Sequence, residues 1–129
     1  MTTELLYLTL VALLTILLFL PYTLNLMAKW GLAYAVGNRD EQKPLAPWAE
    51  RAKRGHYNAV ENLVVFAAVV LTAHLLNKHS GATATAALVY FWARLVHYVA
   101  YALGIPWVRT LAWTVGWVCC LVFIWQILT

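Results

Sequence analysis

Arg54, Asn58 and Glu61 follow one another at spacings of four and then three residues, and Arg94, His97 and Tyr101 at three and then four. At 3.6 residues per turn each set shares one face of a helix, with Arg51 one turn before the first set and Asn62 close to its end. Both sets lie in stretches that otherwise read as membrane-spanning helix. Ionised groups at such depth cost about 2.5–3.5 kcal/mol each on insertion scales, so they face a bundle interior or a water-filled cavity. A small-molecule site offers them partners. The chemistry in prospect is recognition of a charged ligand, because arginine forks match carboxylates and a glutamate suits an ammonium.

The elements that must position these residues follow from composition. Of 129 residues, 64% are hydrophobic and 11% charged, against about 45–50% and about 25% in soluble domains. An integral membrane protein of one domain is expected. Spanning a bilayer takes about 20 mostly apolar residues, and four segments reach that length: about Leu5–Met27, Arg51–Leu76, Ala82–Leu103 and Trp107–Leu128. Pro21 should bend the first. Glu4 is the only early charge and the first run is long, which argues for a retained anchor over a cleaved signal peptide. Two connections are short, Asn77–Gly81 and Gly104-Ile-Pro106, so the segments they join are antiparallel. Pro106 suits a first helical position, where its missing N–H costs nothing. The expected fold is an all-α, antiparallel four-transmembrane-helix bundle.

The one long connection, Lys29 to Glu50, holds Gly37-Asn38, Pro44 and Pro47, and with its flanks carries Lys29, Arg39, Lys43, Arg51, Lys53 and Arg54. Basic residues stay cytoplasmic, so this loop should face the cytoplasm and both termini the other side. Topology thereby accounts for the net charge of +4, and no nucleic-acid partner is expected. Trp30, Trp48, Tyr90, Trp92, Trp107 and Trp125 suit interfacial belts for the most part. Ala82-Thr-Ala-Thr-Ala-Ala87 gives the third span a small face for close helix contact. Cys119 and Cys120, about 100° apart on a helix, are ill placed for a mutual disulfide. They have no metal-ligand spacing and read as packing residues.

Glu61 stands about 10 Å beyond Arg54 along its helix, and Arg94 about 14 Å before the end of its own. These similar depths predict a Glu61–Arg94 ion pair, within a helix pair or between subunits. Such a pair alone could serve only to fix the fold. It would leave Arg54, Asn58, Asn62, His97 and Tyr101 without a purpose. His56 points off the Arg54–Glu61 face and is expected at an interface or against the loop, while His74 and His79 lie at the opposite membrane face.

Glu50-Arg-Ala-Lys-Arg-Gly-His-Tyr-Asn-Ala-Val-Glu-Asn62 resembles the second-helix signature of the MAPEG proteins, the membrane-associated proteins in eicosanoid and glutathione metabolism. Arg94-Leu-Val-His-Tyr-Val-Ala-Tyr101 is similar to the family's third-helix pattern. Gly104-Ile-Pro-Trp-Val-Arg-Thr110 resembles the turn that opens its fourth helix, and Asn38-Arg-Asp40 a loop asparagine with acidic followers. The first loop is short, as in bacterial members, which implies a bacterial inner membrane.

The resemblance implies a homotrimer with glutathione as co-substrate, bound between neighbours near the cytoplasmic face, and a lipophilic second substrate entering from membrane lipid. Arg51, Arg54, Asn58, Glu61, Arg94, His97 and Tyr101 would contact glutathione or orient those contacts. Arg109 would stand near the thiol, with Thr110 in place of a serine. A thiol has a pKa of about 8.5. Lowering it by two units takes about 2.7 kcal/mol, which one charge-assisted hydrogen bond of about 1.5–3 kcal/mol nearly supplies. The implied activity is a glutathione S-transferase, with peroxidase chemistry open to the same thiolate. Two departures point to an alternative, a non-catalytic protein that binds lipid or glutathione and serves a partner. Trp113 stands where prostaglandin-synthase-like members have an aromatic hydroxyl, and Lys29 is the nearest basic residue where the first helix usually has an arginine. A channel fits less well, since the polar groups gather toward one membrane side.

Overall fold

Six helices and no strand make up the chain: α1 (Thr3–Leu17), α2 (Leu20–Trp30), α3 (Leu32–Val36), α4 (Pro47–Leu75), α5 (Gly81–Leu103) and α6 (Pro106–Leu128). They are seen in a computed structural model that describes residues 1–129. Four helical stretches are long and apolar enough to cross a membrane: Thr3–Trp30, Pro47–Leu75, Gly81–Leu103 and Pro106–Leu128. The first is α1 and α2 together, interrupted at Leu18–Phe19 just before Pro21. A proline has no N–H to give and its ring crowds the carbonyl one turn back. At this break Tyr98 Oη donates to the Leu18 carbonyl at 3.0 Å, so that oxygen finds its partner on α5.

Two boundaries differ from expectation. The second span starts at Pro47, ahead of Glu50, because Pro47 takes the first helical position as Pro106 does in α6. The long connection also contains α3, a turn too short to leave a clear apolar period.

Side-chain bonds give the directions of the spans. Thr83 Oγ1 donates to Glu4 Oε1 at 2.6 Å and Tyr98 reaches Leu18, so α1 and α5 run parallel. Arg51 Nε donates to the Ala102 carbonyl at 3.0 Å and Arg94 Nη2 to Asn58 Oδ1 at 2.7 Å, so α4 and α5 are antiparallel. Ser80 Oγ donates to Gln126 Oε1 at 3.2 Å at one end, and the Arg109 guanidinium lies over the Tyr101 ring at the other, which makes α6 antiparallel to α5. This is the up-down bundle.

Small residues let the helices close. Thr83, Ala86 and Ala87 on α5 are buried, and the core beside them holds Val11, Phe66, Val70, Phe123 and both free cysteines, Cys119 and Cys120. Tyr90 is part of this core and not of an interfacial belt: its ring stacks on Phe66 with centroids 3.8 Å apart and planes 4° from parallel. Outward-facing residues such as Ile16, Val64 and Leu111 are exposed and apolar, as a lipid-facing surface requires.

Gly55 sets the approach of α4 to α5. A Cβ there would lie 3.3 Å from Tyr101 Cβ and 3.4 Å from Tyr98 Cδ2. Alanine needs a shift of a few tenths of an ångström, whereas leucine has nowhere to go. Gly55→Leu is expected to cost about 1–3 kcal/mol by overpacking, read as a lower thermal midpoint in detergent. An undiminished midpoint would mean that α4 and α5 do not meet at this glycine.

Candidate functional site

The turn between α5 and α6 brings the reactive-looking residues together. Gly104 adopts φ 74° and caps α5, with Ile105 N–H donating to the Ala100 carbonyl at 2.9 Å. Glycine accepts this left-handed conformation without a Cβ penalty, and Pro106 then starts α6 at once. The reversal is tight enough to place the first turns of α6 against the last turn of α5. Arg109 Cζ accordingly sits 4.7 Å from the centre of the Tyr101 ring, a cation–π distance. Tyr101 in turn meets His97 edge to face, with centroids 5.6 Å apart.

A cavity of about 240 Å³ opens there, lined by Asn58 from α4, His97 and Tyr101 from α5, and Arg109, Thr110 and Trp113 from α6. Five of the nine residues expected at the site therefore share one cavity.

Arg94 lies behind that wall. It is 2% exposed, and its Nη2 donates to Asn58 Oδ1 at 2.7 Å and approaches His97 Nδ1 at 3.4 Å. Asn62 Nδ2 also donates to Asn58 Oδ1, at 3.1 Å. Guanidinium groups only donate, so Asn58 must turn its oxygen toward Arg94. His97 must likewise accept at Nδ1, which puts its ring proton on Nε2. What remains for the cavity is the Asn58 amide N–H₂ and the His97 Nε2–H. With the Arg109 guanidinium and the hydroxyls of Tyr101 and Thr110, which can donate as well as accept, every polar residue of the lining can offer a donor, and the lining contains no carboxylate. Such a wall suits an anionic ligand.

Four expected residues stand elsewhere. Arg94 positions Asn58 and His97 and does not itself line the cavity. Arg51 is a tether: its Nε holds the Ala102 carbonyl, and its guanidinium packs on Gly104, where a Cβ would come within 3.3 Å of Nε. Arg54 and Glu61 flank Asn58 on α4 and are exposed on the surface of the single chain. The Glu61–Arg94 ion pair does not form within the chain, because Arg94 is buried and engaged with Asn58 and His97. Depth arithmetic from uncertain helix ends misplaced the register by one turn. With Arg51 held opposite Ala102, Asn58 falls opposite Arg94 and Glu61 lies a turn deeper.

Of the other histidines, His56 leaves the Asn58 face as expected and shares a 2.7 Å hydrogen bond, through Nδ1, with Tyr22 Oη on α2. His74 and His79 are exposed at the far end. Asn62, seen in the sequence beside the Arg54–Glu61 set but not counted at the site, fixes the Asn58 amide, and its i+4 spacing from Asn58 was the available signal. One feature was missed. Glu4, read only as an early charge, is buried against Thr83 at the far end of the bundle. The capping box of Ser80 and Thr83 was the cue that a helix start lay there.

The sequence model described as the MAPEG family matches residues 4–129 of the chain. Neither the curated proteins nor the solved structures gave a match.

Proposed function

Because the chain belongs to the MAPEG family, whose members include glutathione transferases and non-catalytic proteins, we propose that it is a membrane-bound glutathione S-transferase that holds the bound thiol as thiolate. The observation that carries this reading is the donor-rich, carboxylate-free wall that includes Arg109. Glutathione brings two carboxylates and, once ionised, a thiolate. Asn58, His97 and Tyr101 bind and orient it, and Arg109, with the Thr110 hydroxyl beside it, stabilises the sulfur anion. Once a neighbouring copy covers the cavity, each of these bonds is worth more than in water. The thiol proton passes to water. The sulfur then attacks an electrophilic carbon, forming the thioether bond as the leaving group departs with its electron pair.

The second substrate comes from the bilayer. Trp113 in the cavity wall stacks on Trp117 one turn further along α6, with centroids 6.3 Å apart and planes 9° from parallel. Both indoles are exposed and extend from the thiol site toward the membrane interior, a surface suited to a lipophilic electrophile.

Homotrimeric assembly completes the site. Arg54 and Glu61 are charged, exposed and inside a span, an arrangement lipid penalises, and a neighbouring copy would cover them. Glutathione then lies between copies with these two residues at its edge, on the side of the basic loop, which faces the cytoplasm. Native mass measurement in mild detergent is expected to give three chains per particle. A monomer that still forms thiolate would overturn this part of the proposal.

The function itself is tested by titrating purified protein with glutathione while following thiolate absorbance, then adding a generic aryl halide. Thiolate formation and conjugate are expected. The second reading, a non-catalytic glutathione- or lipid-binding member, is favoured by Trp113, whose indole supplies one N–H and no hydroxyl beside the thiol. Binding with no thiolate at neutral pH would establish it instead.

A further inference from the structure

A second cavity, of about 430 Å³, lies between α2, the α3–α4 loop and the first turns of α4, and shares no lining residue with the glutathione cavity. Its α4 wall includes Lys53 and Tyr57, and Tyr57 points about 100° round the helix from Asn58. Three cations line it, Arg39, Lys43 and Lys53, against one carboxylate, Glu50. Glu50 is already engaged, its Oε1 accepting from Leu45 N–H at 3.0 Å.

The loop that carries two of these cations is held in place. Trp30 Nε1 donates to the Pro44 carbonyl at 2.7 Å, Tyr34 Oη donates to the Glu41 carbonyl at 2.8 Å and accepts from Lys43 N–H at 3.0 Å, and Ala46 N–H donates to Asn25 Oδ1 at 3.0 Å. Lys43 Nζ lies 5.0 Å from the Trp30 ring and 5.1 Å from the Tyr34 ring, which fixes the charge over two aromatic faces. Arg39, a non-glycine residue at φ 55°, is turned back so that Nε and Nη2 reach the Ala35 carbonyl at 2.9 and 2.6 Å. A loop serving only to connect two spans needs no such fastening.

Polarity changes along the cavity. Arg39 and Lys43 sit at the loop end, Lys53 stands further along α4 with its Nζ 5.8 Å from the Tyr57 ring, and the lining continues to Phe19 at the break that precedes α2. Phe19 lies about 15 Å along the first span from the loop. That is deeper than a headgroup layer, which occupies roughly 5–8 Å on each side of the hydrocarbon. A soluble anion would use only the upper end. A membrane amphiphile would use both.

We propose that this cavity is a binding site for an anionic phospholipid, with its phosphate among Arg39, Lys43 and Lys53 and the start of an acyl chain against Leu26 and Phe19. Juxtamembrane cations attract anionic headgroups, lysine binds phosphate as a point charge, and the apolar floor selects a phosphate that carries a chain. This site is independent of the glutathione reading.

The test is native mass spectrometry of the full-length protein from mixed micelles containing phosphatidylglycerol, phosphatidylcholine or water-soluble glycerol phosphate. Wild-type protein is expected to retain phosphatidylglycerol about tenfold over phosphatidylcholine, with no retention of glycerol phosphate. Lys43→Gln and Lys53→Gln should each weaken phosphatidylglycerol retention roughly fivefold, with thermal midpoint and glutathione thiolate formation unchanged. Lys53 stands on α4, outside the fastened loop, so its variant reads charge without disturbing the loop. Equal retention of the two lipids, or an unchanged preference in both variants, overturns the proposal. Displacement of phosphatidylglycerol by glycerol phosphate would show a soluble-phosphate site and overturn it too.

Discussion

Replacing Arg109 with alanine is expected to lower kcat/KM for conjugation by about 10²–10³-fold, the usual cost of removing one preorganised donor from a developing or standing anion. The guanidinium is fixed over Tyr101 at 4.7 Å at the start of α6, so it would meet a bound thiolate with little reorganisation. A charge-assisted hydrogen bond of about 1.5–3 kcal/mol corresponds to about one to two pKa units on the bound thiol. The sign is definite. A group that stabilises thiolate lowers the thiol pKa, so wild-type activity should level off at a lower pH than that of the variant. Arg109→Ala should need a pH one to two units higher, toward the free-thiol value of about 8.5, before its rate levels off. Arg109→Lys keeps the charge but loses the planar fork and should fall between the two. Since Arg109 is only half-buried on a surface turn of the helix, the fold should tolerate both changes. A pH–rate profile that does not move in the alanine variant would remove Arg109 from the chemistry.

The spans were legible because lipid imposes simple demands: length, apolarity and tight reversals such as Gly104-Ile-Pro106 can all be read from residues. The break before Pro21 was legible for the same reason. His97 and Tyr101 were named from their spacing and the family resemblance, Arg109 and Thr110 from the resemblance alone, and the four line one cavity. The roles of the arginines were harder to read. An arginine fork fits a backbone carbonyl as readily as a ligand carboxylate, so sequence does not separate Arg51, which holds Ala102, from Arg109, which faces the cavity. Arg94 and Asn58 pair because Arg51 sets the register of α4 on α5, a tertiary fact that helix-end arithmetic cannot supply. Tyr90 could have been placed. It precedes Arg94 by four residues and His97 by seven, on the same inward stripe as Thr83 and Ala87, and a residue on that stripe belongs to the core.

Asn58→Asp offers the sharpest test of the site, because it changes the chemistry of the wall while nearly preserving its shape. In the wild type, Arg94 Nη2 and Asn62 Nδ2 both donate to Asn58 Oδ1, which leaves the amide N–H₂ for the ligand. Aspartate satisfies Arg94 and Asn62 at least as well, since it adds a charge opposite the buried guanidinium, so the thermal midpoint should hold or rise. Toward the cavity it presents an anionic acceptor in place of a donor. An anionic ligand then loses one hydrogen bond, worth about 0.5–1.5 kcal/mol if neutral and about 1.5–3 kcal/mol if charge-assisted, and gains a like-charge neighbour. Glutathione affinity is expected to fall by about 10²-fold, measured calorimetrically or by thiolate titration, while Asn58→Ala, which lacks the repulsion, should lose less. Unchanged glutathione affinity in the aspartate variant would mean that the amide does not face the ligand, and the donor-rich wall would no longer support a thiolate site.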